Sequence, residues 1–345
     1  MTPTISMVVL SSLATSTIIT MSSYHWLMAW IGLEINTLAM IPIISTTHHP
    51  RSTEAATKYF LIQATASALI LFSSMTNAWH TGSWDITQMV NKPSNIMLTV
   101  ALAMKLGLVP LHFWLPEVIQ GSTTTTALII MTWQKLAPMS LIFLTMNNLS
   151  TTVLLLLGLL SSMVGGWGGL NQTQVRKIMA YSSIAHLGWM SSISSIMPNL
   201  LTTNLVIYII MTTSTFFPLI ITKAKTIQNM TTAWTLSPML IIIAMLSLLS
   251  LGGLPPLAGF IPKWLIMEEL ISQNFNLFTT MMALSSLLGL FFYLRLTYST
   301  TLTLSPNMAQ TKFKWRFYPN MMTSFFSTFF LISTLLLPLT PLILV

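Results

Sequence analysis

Gly107-Leu-Val-Pro-Leu-His-Phe-Trp-Leu-Pro-Glu117 and Gly253-Leu-Pro-Pro-Leu-Ala-Gly-Phe-Ile-Pro-Lys263 decide the architecture of this chain. Gly, Leu, Pro, Leu and Pro coincide at a constant offset, and Trp114/Phe260 and Leu115/Ile261 are similar pairs. Each segment lies in a run of membrane-spanning apolarity, yet glycine and proline interrupt a helix. The run at 238–270 would be a straight helix of about 50 Å, against a hydrocarbon core of about 30 Å. Both segments therefore read as broken helices.

Working outward, apolar runs of spanning length fall near residues 3–22, 25–45, 59–79, 96–117, 123–147, 150–171, 177–197, 200–222, 238–270, 274–298 and 322–345. The expected fold class is an all-α polytopic membrane protein of about eleven transmembrane helices. Connections are short, so residues 1–345 read as one membrane-embedded domain. The first run, from Val8 to Met21, has no basic region before it and no Ala-x-Ala site, and reads as a retained helix.

The broken runs are fourth and ninth, so five crossings separate them and they run in opposite directions. That is the mark of an inverted-topology repeat, with the ion or substrate site at the breaks near the midplane. Backbone groups freed there need protein or water as partners, so a hydrated cavity is expected. The repeat units are about 3–147 and about 150–298, followed by a C-terminal helix at about 322–345.

The 345 residues are 53% hydrophobic and 6% charged, with a net charge of +8. The excess cation does not point to nucleic acid, because membrane proteins hold Lys and Arg in the loops on one face. Alternate loops put Arg51, Lys58, Arg176, Lys177, Lys223, Lys225, Lys312, Lys314 and Arg316 on one side and Lys92 alone on the other. The basic side, with the N-terminus, should face the compartment of synthesis, and the C-terminus the opposite one. No Arg-rich presequence is present, so a mitochondrial location requires synthesis inside the organelle. With no cysteine, thiolate metal sites, iron–sulfur ligation and thiol nucleophiles are excluded. There is no phosphate-binding glycine loop, no HExxH and no histidine cluster for metal or haem.

In so uncharged a chain the ionisable residues inside the runs are the functional candidates. A charge at the bilayer centre costs about 2.5–3.5 kcal/mol on insertion scales. Lys105, Lys135, Lys263 and Glu34 qualify, and a Glu34–Lys105 ion pair across adjacent helices is expected. Desolvation favours a neutral amine and a nearby carboxylate favours the ammonium, so a lysine balanced between them can load and release a proton. Linked by water, such lysines make a proton relay switched by the carboxylate. His112, between the prolines of the first break, and His186, among small and hydroxyl residues, are secondary candidates for proton transfer. The bland alternatives are snorkelling to headgroups for the lysines and plain hydrogen-bonded packing for the histidines. Glu117 reads as interfacial, Glu268 and Glu269 as surface, and Arg295 as a snorkelling helix-end residue. His25, His48, His49 and His80 show no evident task.

Four stretches carry a resemblance: Pro50-Arg-Ser-Thr-Glu-Ala-Ala-Thr-Lys-Tyr-Phe60, Lys105 to Trp114, Trp167 to His186, and Ser250 to Trp264. Together they resemble the antiporter-like membrane subunits of mitochondrial NADH:ubiquinone oxidoreductase, respiratory complex I, of the vertebrate kind. The resemblance implies two inverted five-helix units, each with a broken helix, plus flanking helices. It implies a glutamate–lysine pair, a central lysine and a lysine on the second broken helix, which fall on Glu34, Lys105, Lys135 and Lys263. Members usually have fourteen helices, and this chain has room for eleven.

The resemblance further implies a proton-translocating part of an NADH dehydrogenase (ubiquinone), with no redox centre or cofactor in this chain. Flavin, iron–sulfur clusters and ubiquinone would sit in other subunits. Partners would be other membrane-arm subunits, antiporter-like and small hydrophobic ones, with accessory subunits and lipid. The setting would be the mitochondrial inner membrane, N-terminus and basic loops on the matrix side and C-terminus on the intermembrane side. A stand-alone cation/proton antiporter and a structural scaffold without its own proton path are the rival readings.

Overall fold

The structure is a computed structural model that describes residues 2–233, 238–302 and 323–335. Lys312, Lys314, Arg316 and residues 336–345 of the expected C-terminal helix lie outside the described residues. Among those described there are fifteen α-helices and no strand beyond isolated bridges. The chain divides into two compact units, Met1–Ser161 with Met190–Pro198 and Ser162–Trp189 with Asn199–Val345.

The first unit opens with α1 (Pro3–Ser22), α2 (Trp26–Ile44) and α3 (Pro50–Thr81). The helix α3 starts nine residues before the expected 59, because His49 caps it. The His49 Nδ1 accepts from the Arg51 N–H at 3.2 Å, and the Ser52 hydroxyl oxygen accepts from the His49 N–H at 3.1 Å. His25 caps α2 in the same way, accepting from the Leu27 N–H at 3.2 Å, and its ring stacks on Trp84. Both histidines thus have a task that the sequence did not reveal. Lipid offers little apolar drive for helices to associate, so close backbone approach through small residues matters. A Cβ on Gly32 of α2 would stand 2.5 Å from Thr20 Cγ2 of α1.

The fourth expected span is two helices, α4 (Lys92–Leu106) and α5 (Trp114–Gly121), with residues 107–113 between them. Gly107 ends α4 at φ +82°, a left-handed backbone that glycine adopts without penalty, and its N–H closes back on the Ala103 carbonyl. The fifth span is also divided, which the sequence did not lead us to expect. It forms α6 (Thr124–Met131) and α7 (Trp133–Thr145), joined at Thr132, where φ is −110° and ψ −71°. Pro138 sits inside α7 and has no N–H to offer the Gln134 carbonyl one turn back.

Next along the chain come α8 (Thr151–Gly169), α9 (Val175–Ile193), α10 (Pro198–Thr222) and the short α11 (Ile227–Ala233). They are followed by α12 (Pro238–Gly252), α13 (Phe260–Ser272), α14 (Asn276–Leu302) and α15 (Thr323–Leu335). In the second unit the expected break falls at residues 253–259, between α12 and α13. Gly253 stands at φ +79°. A Cβ on Gly259 would lie 1.7 Å from the Ser250 carbonyl oxygen, so no other residue fits where the chain folds back over the end of α12.

Among the described residues, seven spans are long and apolar enough to cross a membrane: α1, α2, α3, α6 with α7 taken together, α8, α10 and α14. The remaining expected spans are occupied by the broken pairs α4/α5 and α12/α13, by α9, which carries Arg176, Lys177 and His186, and by α15.

Candidate proton-relay sites

In the first unit, α2, α3, α4 and α7 enclose a cavity lined by Asn36, Tyr59, Gln63, Lys105, Gln134 and Lys135, together with Trp114 and apolar side chains. It is narrow, with room for about one water molecule. Lys135 is the third residue of α7, and is buried. Its Nζ donates to the carbonyl of Leu106, the last residue of α4, and lies 5.9 Å from the Trp114 ring. Helix ends leave carbonyls without intrahelical partners and carry partial negative charge, so an ammonium is stabilised there. The preceding carbonyl, that of Lys105, accepts from Gln63 Nε2 at 3.4 Å.

Lys105 lies in the last turn of α4, one residue from its end, and is 5% exposed. Its Nζ has no hydrogen-bond partner among the described residues. The expected Glu34–Lys105 ion pair is not formed. Glu34 on α2 is half-buried, and its carboxylate accepts from the Ser67 hydroxyl of α3 and, at 3.1 Å, from the Thr37 hydroxyl one turn on. Those nearby hydroxyls satisfy the carboxylate locally. The ion pairs among the described residues belong to Lys58, which bridges Glu54 of its own helix at 2.5 Å and Glu117 at 2.7 Å. Glu117 is exposed and lies in the first turn of α5, where the sequence placed the end of the fourth span.

In the second unit, Lys263 of α13 donates from Nζ to the carbonyl of Gly252, the last residue of α12, at 3.0 Å. His186 of α9 is buried, faces the backbone of Leu251 and lies beside Tyr208, ring centroids 5.6 Å apart. Lys263, His186, Ser162, Ser182, Ser285 and Tyr293, with apolar side chains such as Trp189 and Phe292, line a second small cavity, and the Ser285 hydroxyl donates to Ser162 at 3.0 Å.

The structure thus gathers Lys105 and Lys135 at one break and Lys263 and His186 at the other. His112 is not brought into the lysine cavity; it is buried against Phe113, ring centroids 4.3 Å apart, with Nδ1 unpartnered among the described residues. Glu268 is exposed and Glu269 half-exposed, as expected. Arg295 has protein partners: its two Nη groups donate to the carbonyls of Leu170 and Gln172 and hold the turn between α8 and α9. Sequence reasoning missed Asn36, Tyr59, Gln63, Ser67 and Gln134, whose signal was the presence of amides and hydroxyls within apolar runs.

An apolar chain that is helical throughout its described elements, with two helices broken at left-handed glycines and buried or half-buried ionisable groups beside each break, defines a multi-pass membrane protein of the antiporter-like class. Comparison with known proteins agrees. Residues 23–289 match the family model described as NADH:quinone oxidoreductase/Mrp antiporter, and residues 290–344 match the NADH dehydrogenase subunit 2 C-terminus. The NADH-ubiquinone oxidoreductase chain 2 of Varanus timorensis is 56% identical over 99% of both chains. That of Xenopus laevis is 53% identical, again over 99% of both. This chain belongs to the NADH-ubiquinone oxidoreductase chain 2 family.

Among solved structures, a chain of respiratory complex I from Thermus thermophilus superimposes with a TM-score of 0.77 at 27% identity, over 89% of this chain and 74% of that one. A chain of the archaeal membrane-bound sulfane sulfur reductase shares the fold, with a TM-score of 0.83 at 14% identity over 96% and 72%. So does one of the Mrp complex from Dietzia, at 0.79 and 14% over 88% and 62%.

Proposed function

We propose that this chain is a core membrane-arm subunit of respiratory complex I, coupling NADH-to-ubiquinone electron transfer to proton translocation in the mitochondrial inner membrane. Its N-terminus and basic loops face the matrix and its C-terminus the intermembrane space. Other membrane-arm subunits and lipid cover its flanks, accessory subunits join the assembly, and flavin, iron–sulfur clusters and ubiquinone belong to other subunits. Full-length similarity to chain 2 of vertebrate complex I supports the assignment.

The observation that carries the chemistry is the unpartnered Lys105 ammonium, buried in a cavity it shares with Lys135. An ammonium without a fixed partner exchanges its proton with a water in that space more readily than one bonded to a carbonyl. Lys105 is accordingly the exchanging group. Lys135 and Lys263 hold their protons against helix-end carbonyls until a shift in the local charge releases them. Glu34, held by two hydroxyls, supplies the field that biases Lys105. Moving one proton against 100 mV needs about 2.3 kcal/mol. A moved carboxylate changes a buried lysine's proton affinity by a similar amount.

A scaffold reading has its own support, because Lys135 and Lys263 each cap a half-helix. Lys135→Met in the assembled complex separates the two. Proton relay predicts intact assembly with fewer protons pumped per electron. Scaffolding predicts failed assembly, with unchanged pumping in whatever complex survives.

A further inference from the structure

The segment that carries Lys135 is weakly held by its own backbone. It begins at the bend of Thr132, where the Lys135 N–H reaches only the carbonyl three residues back, at 3.2 Å. Three residues further on, Pro138 leaves the Gln134 carbonyl without its helical donor. A lysine on such a segment needs another reason to stand at one carbonyl. Gln134, its neighbour, supplies it. Gln134 Nε2 donates to Asn36 Oδ1 of α2 at 2.8 Å, and the Tyr59 hydroxyl of α3 donates to Gln134 Oε1 at 3.4 Å. Asn36 and Tyr59 are 3% and 2% exposed, and all three residues line the cavity that holds both lysines.

We infer that Asn36, Gln134 and Tyr59 form a positioning bridge that fixes the first turn of α7, and with it the Lys135 ammonium, on the Leu106 carbonyl. Asn36 lies two residues after Glu34 on the same helix, so the bridge also ties the helix of the biasing carboxylate to the segment of the second lysine. A movement of α2 is then passed to Lys135 through one amide–amide bond as well as through the field of Glu34. A buried amide bond of this kind is specific in direction, because Gln134 gives an N–H to Asn36 while receiving an O–H from Tyr59.

This inference rests on the proton-relay reading, and its test tells the two apart. Gln134→Met and Asn36→Leu, both close in size to the original residues, are made in the assembled complex, alone and with Lys135→Met. Protons pumped per electron are measured beside assembly. Each single variant is expected to lower pumping about twofold or more, the lower end of the range for residues coupled in one network. Neither should lower it further once Lys135 is methionine, because the group being positioned is gone. Asn36→Thr keeps a neutral oxygen that can accept from Gln134 Nε2, adds no charge beside the lysines, and is expected to retain more pumping than Asn36→Leu. Tyr59→Phe, losing only the longer bond, should show a smaller loss. If Lys135→Met lowers pumping and neither Gln134→Met nor Asn36→Leu does, the positioning role is overturned and the relay stands. Should Gln134→Met prevent assembly, the Asn36→Leu and Asn36→Thr pair decides: equal pumping in both overturns the bridge. If Lys135→Met leaves pumping unchanged in an intact complex, the relay reading fails and takes the inference with it.

Discussion

Lys135 and Lys263 cap the same carbonyl of two equivalent helix ends. Lys135 donates to Leu106 and Lys263 to Gly252, in each case the last residue before the left-handed glycine that opens the break. Leu106 and Gly252 occupy matching positions when Gly107 is set over Gly253. The lysines do not match in that alignment: Lys263 corresponds to Glu117, which points instead to Lys58 at the exposed surface. One lysine comes from the helix after the break and the other from the far half of the broken helix itself. What the two units share is the acceptor, an orphan carbonyl with partial negative charge. An ammonium from whichever neighbour can reach it completes the end.

The second break depends on the absence of a side chain at Gly259. A Cβ there would meet the Ser250 carbonyl oxygen at 1.7 Å, and backbone cannot move away as a side chain tip can. Gly259→Ala is expected to abolish accumulation of the assembled complex. Gly289→Ala, whose Cβ would meet nothing nearer than Phe292 at 3.9 Å, is expected to assemble as the wild type does. Native gels of the complex from the two variants check the contrast.

Arg295 holds the turn between α8 and α9 through two charge-assisted bonds to Leu170 and Gln172. Arg295→Met should destabilise that turn by about 3 kcal/mol, since hydrogen bonds to a charged group contribute about 1.5–3 kcal/mol each. Arg295→Lys should recover only part of this, because a single ammonium lacks the planar fork that serves two carbonyls at once. Faster proteolysis at residues 170–174 in detergent-solubilised complex, in the order Met above Lys above wild type, is the expected result.

Glu34 is restrained by Ser67 rather than by Lys105. Ser67→Ala removes one of the two hydroxyls on the carboxylate and frees it to turn. Because α3 keeps its helix-to-helix packing through other residues, assembly is expected to persist while pumping per electron changes. Glu34→Gln, which removes the charge but keeps the shape, is expected to lower pumping more than Ser67→Ala does. Equal, wild-type stoichiometry in both would remove Glu34 from the mechanism.

Much of this architecture was legible in the amino acids, for identifiable reasons. The breaks at 107–113 and 253–259 announce themselves through glycine and proline, which interrupt helices by backbone sterics alone. Lys105, Lys135, Lys263 and Glu34 stand out because charge in an apolar run is expensive. The bend at Thr132 does not, because threonine is no helix breaker and the visible sign, Pro138, lies six residues downstream. Partner choice was equally hidden. Matching charges by depth suggested a Glu34–Lys105 pair, yet the carboxylate took hydroxyls and two lysines took backbone carbonyls. Carbonyls are present at every residue, so sequence cannot say which is left over until the helix ends are placed. The partners of Arg295 were hidden for the same reason, its acceptors being backbone oxygens more than a hundred residues away.

Proton exchange at Lys105 is the central claim, and proton-to-electron stoichiometry in intact complex carrying Lys105→Met tests it most directly. Methionine keeps the buried volume and forfeits no hydrogen bond, since the ammonium has none among the described residues. The expected result is normal assembly and NADH oxidation with fewer protons moved per electron. Wild-type stoichiometry in that intact complex would contradict the account.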